Sequence, residues 1–264
     1  MPLAGPLNQA PIIMSTPGIE SYEVKDSHPF YAEMLQFFIA AISMTMAMRQ
    51  DKVEEAIQKV IAEARKMATS FNLGMPYNSL FIIDVPPLDQ DVTFADLSCP
   101  DACILKNVSH VVAYIRNQTG NHPAPLAFSL QPLPGHSLPP PETTVFGAMI
   151  TPWISDLSCY LVGGAYERVR DTFERKYGAN KQTWAPELQF FRHLRNGCFH
   201  GNTFNIEKIR RKKKLVDQID PTNPPQWRGY KMPSDNAMNG KKVMDGFFFL
   251  PHLLPFLHDM GKYV

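Results

Sequence analysis

Arg195 and His200 are the residues of this sequence best suited to chemistry, and they lie five apart in Leu194-Arg195-Asn196-Gly197-Cys198-Phe199-His200-Gly201-Asn202. A guanidinium can hold the charge that builds on a phosphate in a transition state. An imidazole can move a proton near neutral pH. Together they fit the cleavage of RNA, where the ribose 2′-hydroxyl is a built-in nucleophile and no metal or other cofactor is required. In that chemistry Arg195 stabilises charge, His200 transfers protons, and Asn196 orients the phosphate or His200.

The spacing alone is weak. Eleven arginines and eight histidines give about one such pair by chance. A second pair, Arg116 and His122, straddles the turn-forming Thr119-Gly120-Asn121 and precedes Pro123, so its histidine falls on a loop. Glu187 to His200, by contrast, reads as one helix. At about 100° per residue, Phe190, Phe191, Leu194 and Cys198 share an apolar arc. Gln189, Arg192, His193, Asn196 and His200 share the opposite one. That arc has no acid after Glu187, so Arg192 and His193 are expected to face solvent and bind substrate. Phe191 and Phe199 flank Arg195 and can hold its guanidinium rigid. Arg195 and His200 diverge by about 140° on one helix. One imidazole hardly serves as both acid and base, so the expected unit is a homodimer with two copies of the helix face to face.

Six cations fall within the seven residues Lys208 to Lys214, and the stretch from Pro186 to Lys214 carries +6 in a chain whose net charge is +1. The whole chain is no polycation, but Arg210, Arg211, Lys212 and Lys213 could form a local groove for an RNA backbone. Trp227, Tyr230 and Lys231 are weaker candidates for stacking a base. Cys198 lies on the apolar arc and reads as a small core filler. Cys99, Cys103 and His110 fall short of a four-ligand zinc set, so no metal site is expected. Four scattered cysteines do not make a disulfide framework, which points to a reduced, cytoplasmic setting.

The elements that must position these groups read as mostly helical. Helices are predicted from about His28 to Met48, Asp51 to Asn72, Ala102 to Gln118, Ser155 to Tyr177, and from Pro186 through the motif. Met34 to Met48 is uncharged but too short for a membrane span of roughly 20 residues, so it reads as a buried core helix. Leu80 to Val85 could be a strand. His122 to Thr144 holds seven of the 24 prolines and reads as an extended loop. The expected layout is an N-terminal arm over 1–27 and a single helical domain over 28–264. That domain carries a Pro-rich insertion at 122–144 and a C-terminal extension at 220–264.

The stretch Leu194–Asn202 resembles the signature of the HEPN superfamily: Arg, a polar residue that is often Asn, three more residues, then His, often followed by Gly. The close match covers about nine residues. The resemblance implies a helical bundle, so the expected fold is mostly α, with the long Pro-rich loops and a few short strands read above. It implies homodimers with motifs paired across the interface, and a metal-independent endoribonuclease used as a toxin, an RNA-processing enzyme or an antiviral effector. A regulatory protein partner would fit such a role. Many members are not nucleases, so a non-catalytic interaction or nucleotide-binding module is the alternative. The Tyr that some members carry two residues after the His is Asn202 here.

Overall fold

The computed structural model describes residues 18–48, 81–83, 91–96, 99–116, 122–132, 144–146, 151–206, 210–211, 214–215, 219–220, 222–233 and 235–264. The predicted helix over Asp51 to Asn72 lies outside them.

Among the described residues six strands build one sheet: β1 (Glu20–Val24), β2 (Phe81–Ile83), β3 (Val92–Asp96), β4 (Asp101–Lys106), β5 (Leu126–Pro132) and β6 (Thr144–Phe146). Their order is β1-β5-β4-β3-β2-β6, and every neighbouring pair is antiparallel. The fold is therefore a mixed α/β one, which overturns the expected mostly α bundle. Residues 20–24, read as part of a terminal arm, are an edge strand of this sheet.

Registers Val92↔Leu105↔Phe128 and Phe94↔Cys103 align one face, since side chains alternate along a strand. That face joins the hydrophobic core. Covering it are α1 (Tyr31–Met48), whose Phe37 meets Phe94 at 5.4 Å, and α6 (Leu253–Met260), whose His258 ring lies 6.5 Å from that of Phe128. Just before helix α1, His28 Nδ1 accepts from Phe30 N at 3.1 Å, and its carbonyl accepts from Tyr31 N at 2.9 Å. Within α1 Met34, Leu35, Phe37, Phe38, Ala41 and Ile42 are buried, as a core helix requires. No helix of the described residues is long and apolar enough to cross a membrane.

Two sequence expectations change here. Asp101–Lys106, read as the first turns of a helix, is β4; the helix that follows, α2, spans only Val108–Ile115. All of β4 except Lys106 is buried, so the strand shows no alternation and merges in the sequence with the apolar helix after it. Within the Pro-rich stretch, Leu126 to Gln131 contains no proline and forms nearly all of β5, at the second position of the sheet. Proline density rules out a helix there but not a strand.

The long helix α3 (Thr151–Tyr177) and α4 (Pro186–Phe199) pack together. A two-stranded ladder follows α4 in the chain, made of β7 (Arg210–Arg211) and β8 (Lys214–Leu215). On its other side α4 meets the C-terminal segment. That segment includes the hairpin β9 (Gln226–Trp227) and β10 (Tyr230–Lys231), the short helix α5 (Asp235–Met238), a turn at Leu250–His252, and α6. A buried polar cluster ties the segment to the sheet. His252 Nε2 lies 3.0 Å from Asp101 Oδ2, and its Nδ1 lies 2.6 Å from Tyr230 Oη and 3.7 Å from Cys99 Sγ. Trp227, Tyr230, Phe247, Phe248, Leu253 and Phe256 of this segment belong to the hydrophobic core.

Candidate functional site

Helix α4 begins at Pro186, which suits a first helical position because its missing N–H would be unpaired there anyway. Gln189 donates from Nε2 to the carbonyls of Trp184 at 2.8 Å and Gln182 at 3.0 Å, fixing the turn that enters the helix. Trp184 in turn donates to Gly178 O at 2.9 Å.

The helix ends through its glycines and Asn202. Gly201 has φ +69°, the left-handed conformation that glycine adopts without strain. Asn202 N bonds back to Cys198 O at 3.3 Å, and Thr203 N to Gly197 O at 3.0 Å. The buried Asn202 side chain then clamps the Met244 backbone: Oδ1 accepts from Met244 N at 2.7 Å and Nδ2 donates to Met244 O at 3.4 Å. Position 202 therefore serves the fold.

Gly197 lets this junction close. A Cβ there would lie 2.4 Å from Val243 Cγ2 and 3.2 Å from Phe204 Cδ1. Gly197→Ala gains about 1 kcal/mol of helix propensity but overpacks a buried contact at about 1–3 kcal/mol. The variant is expected to be less stable than the wild type in urea unfolding, and Val243→Ala in the same chain should recover part of the loss. A Gly197→Ala protein as stable as the wild type would contradict this close approach.

Arg195 reaches the surface with 27% of its side chain exposed. Three groups hold it. One Nη pairs with Glu167 of α3, the other donates to Asn196 Oδ1 at 2.9 Å, and the guanidinium carbon lies over the Phe199 ring at 4.6 Å. Of the two rings expected to flank it, Phe199 does so. Phe191 is fully buried, packing on Phe30, Tyr166 and Phe256. Asn196 uses its carbonyl oxygen on Arg195 and so orients the guanidinium.

His200 follows the last helical residue and is exposed; its ring makes no hydrogen bond among the described residues. Phe199, between the two, is 51% exposed. Arg195, Phe199 and His200 thus come to the surface at one end of α4.

Arg192 and His193 do not join them. They are 5% and 2% exposed, and Arg192 Nη2 lies 3.2 Å from His193 Nε2. Burial, with help from the neighbouring guanidinium, pushes the His193 pKa down to about 3, so its Nε2 can accept from Arg192. Both were expected on a solvent-facing arc. They are inside because α4 is covered on two sides, by α3 and by the C-terminal aromatic cluster. Buried there, neither can meet a substrate at the surface.

Arg210 and Arg211 are the whole of β7, paired with Lys214–Leu215 across the small ladder. Lys212 and Lys213 lie outside the described residues. Trp227 and Tyr230, weak candidates for base stacking, are buried and stacked on each other at 5.9 Å. Cys198 is buried as expected and contacts the Cys159 thiol of α3.

Sequence spacing missed Glu167. It sits one turn after Gly163, on the face of α3 that admits Phe199, and also accepts from Arg170 at 2.9 Å. The paired glycines at 163 and 164 were the available signal, since they mark where another helix can approach. Chemically, the end of α4 offers a guanidinium fixed by three partners, one of them a half-exposed aromatic ring, and an accessible imidazole.

No family model matches this chain, and neither a curated protein nor a solved structure does.

Proposed function

We propose that this protein is a metal-independent endoribonuclease acting as a homodimer, with Arg195 and His200 of two copies around one phosphodiester. The observation that carries the reading is that the partly exposed Arg195 reaches the surface beside the exposed Phe199 and His200 at the end of α4. Arg195 holds the charge on the non-bridging oxygens. One imidazole takes the 2′-hydroxyl proton, and the other protonates the leaving 5′-oxygen. Asn196 and Glu167 keep the guanidinium in place. Arg210 and Arg211, with Lys212 and Lys213, supply charge for the backbone. Trp153 and Tyr160, exposed on α3, offer apolar area to a second copy. The free cysteines suit a reduced, cytoplasmic setting.

A second reading, a binding module that does not cut, is favoured by one contact: Glu167 already neutralises Arg195. Incubation of pure protein with mixed RNAs in chelator separates the two. Cleavage is expected, and His200→Ala should slow it by about 10²- to 10⁴-fold with an unchanged circular dichroism spectrum. A wild type that never cuts, or a His200→Ala protein that cuts equally well, overturns the nuclease.

A further inference from the structure

Phe199 bears on which form of RNA the end of α4 accepts. Its ring is held on two sides. The Arg195 guanidinium lies over it at 4.6 Å, and its edge sits in the notch at Gly163, where a Cβ would come 2.4 Å from Cε1 and 2.6 Å from Cζ. Those contacts use one face and one edge. The residue is nonetheless 51% exposed, so part of the ring remains accessible beyond those two contacts.

An aromatic ring fixed in place and left half bare is a ready platform for another flat ring, because stacking then needs little further ordering. The groups beside it fit a nucleotide: Arg195 for a phosphate, and His200 as the next residue in the chain. The nearby Glu167 carboxylate is already matched by Arg170 and Arg195.

We propose that the accessible part of the Phe199 ring stacks an unpaired base, which makes single-stranded RNA the ligand of this site. A base inside a duplex has both faces covered by its neighbours and cannot use the platform, whereas a base in a loop or single strand can. The proposal rests on the end of α4 being an RNA site, but not on cleavage there.

Binding is measured by fluorescence anisotropy on the full chain, with a short mixed-sequence 2′-O-methyl RNA that lacks the free 2′-hydroxyl. The same strand annealed to its complement is the comparison. The wild type should bind the single strand more tightly than the duplex. Phe199→Leu, which fills the Gly163 notch without a π face, should weaken single-strand binding about 5- to 150-fold, the equivalent of one stacked base. Phe199→Trp should retain it.

Four results would overturn the proposal: no binding of either RNA, equal binding of strand and duplex, a Phe199→Leu protein that binds like wild type, or a Phe199→Leu protein whose only change is a smaller sedimenting mass. The last would mean that a second copy covers the ring. Binding that depends on Phe199 without cleavage of ordinary RNA leaves stacking intact and removes the nuclease. Cleavage indifferent to Phe199 does the reverse.

Discussion

Phe190→Ala is expected to lower the unfolding free energy by about 3–5 kcal/mol, the cost of emptying a large buried aromatic site. Phe190 is fully buried, with its ring 6.0 Å from Tyr230, 6.1 Å from Phe247, 6.0 Å from Phe248 and 5.7 Å from Phe256. Four rings from three parts of the C-terminal segment converge on it, so neighbours cannot collapse into the space without moving one another. Typical domains are stable by only about 5–15 kcal/mol, so a large share of the total is at stake. Phe199→Ala, nine residues along the same helix but half exposed, is the control and should cost far less. Urea unfolding of the two variants reads the contrast. Equal losses would mean that α4 does not use the C-terminal cluster as its floor.

That cluster explains why the sequence was only partly legible. Helices α1, α3 and α4 show in the pattern because each is long, periodic and punctuated: Pro186 opens α4, Gly178 follows α3 and Gly201 follows α4. The strands of the six-stranded sheet are three to seven residues long, and the two longest, β4 and β5, were hidden for different reasons. Uniform burial removed the alternation of β4, and prolines on either side masked β5. Strand pairing joins residues far apart in the chain, as Glu20 with Leu130, and local spacing carries no record of it.

The candidate site divides along the same line. Arg195, Asn196 and His200 were identifiable because their types and intervals are local. Glu167 was not, because its meeting with Arg195 depends on how α3 crosses α4. The polar arc failed for a related reason. A helical wheel assumes one wet side, and between α3 and the aromatic cluster α4 has little wet side before Arg195. Gln189, Arg192 and His193 met burial by binding turn carbonyls or each other instead of solvent. The stretch that carries Arg195 and His200 is also partly architectural: Gly197, Gly201 and Asn202 build the junction with residues 241–244.

The burial of His193 has a consequence in solution. Its pKa falls from an ordinary 6.5 to about 3 in the folded protein, so the unfolded chain binds the proton more readily. Stability is then unaffected above pH 6.5 and drains away as pH falls from 6.5 towards 3, because acid draws the protein to the state that can be protonated. By pH 5 the loss from this one group amounts to about 2 kcal/mol. His28, half-buried and also depressed by desolvation, adds in the same direction, whereas Glu33 and Asp245, whose carboxyl pKa values are raised by burial, oppose it. Absolute pH profiles mix these groups, so the difference between two proteins isolates the one of interest. His193→Gln keeps an acceptor for Arg192 and cannot titrate. Between about pH 7.5 and pH 5 the wild type should lose about 2 kcal/mol more than the His193→Gln protein in urea unfolding. Parallel losses would place His193 in water, and with it Arg192, restoring both as candidates for contact with a phosphate.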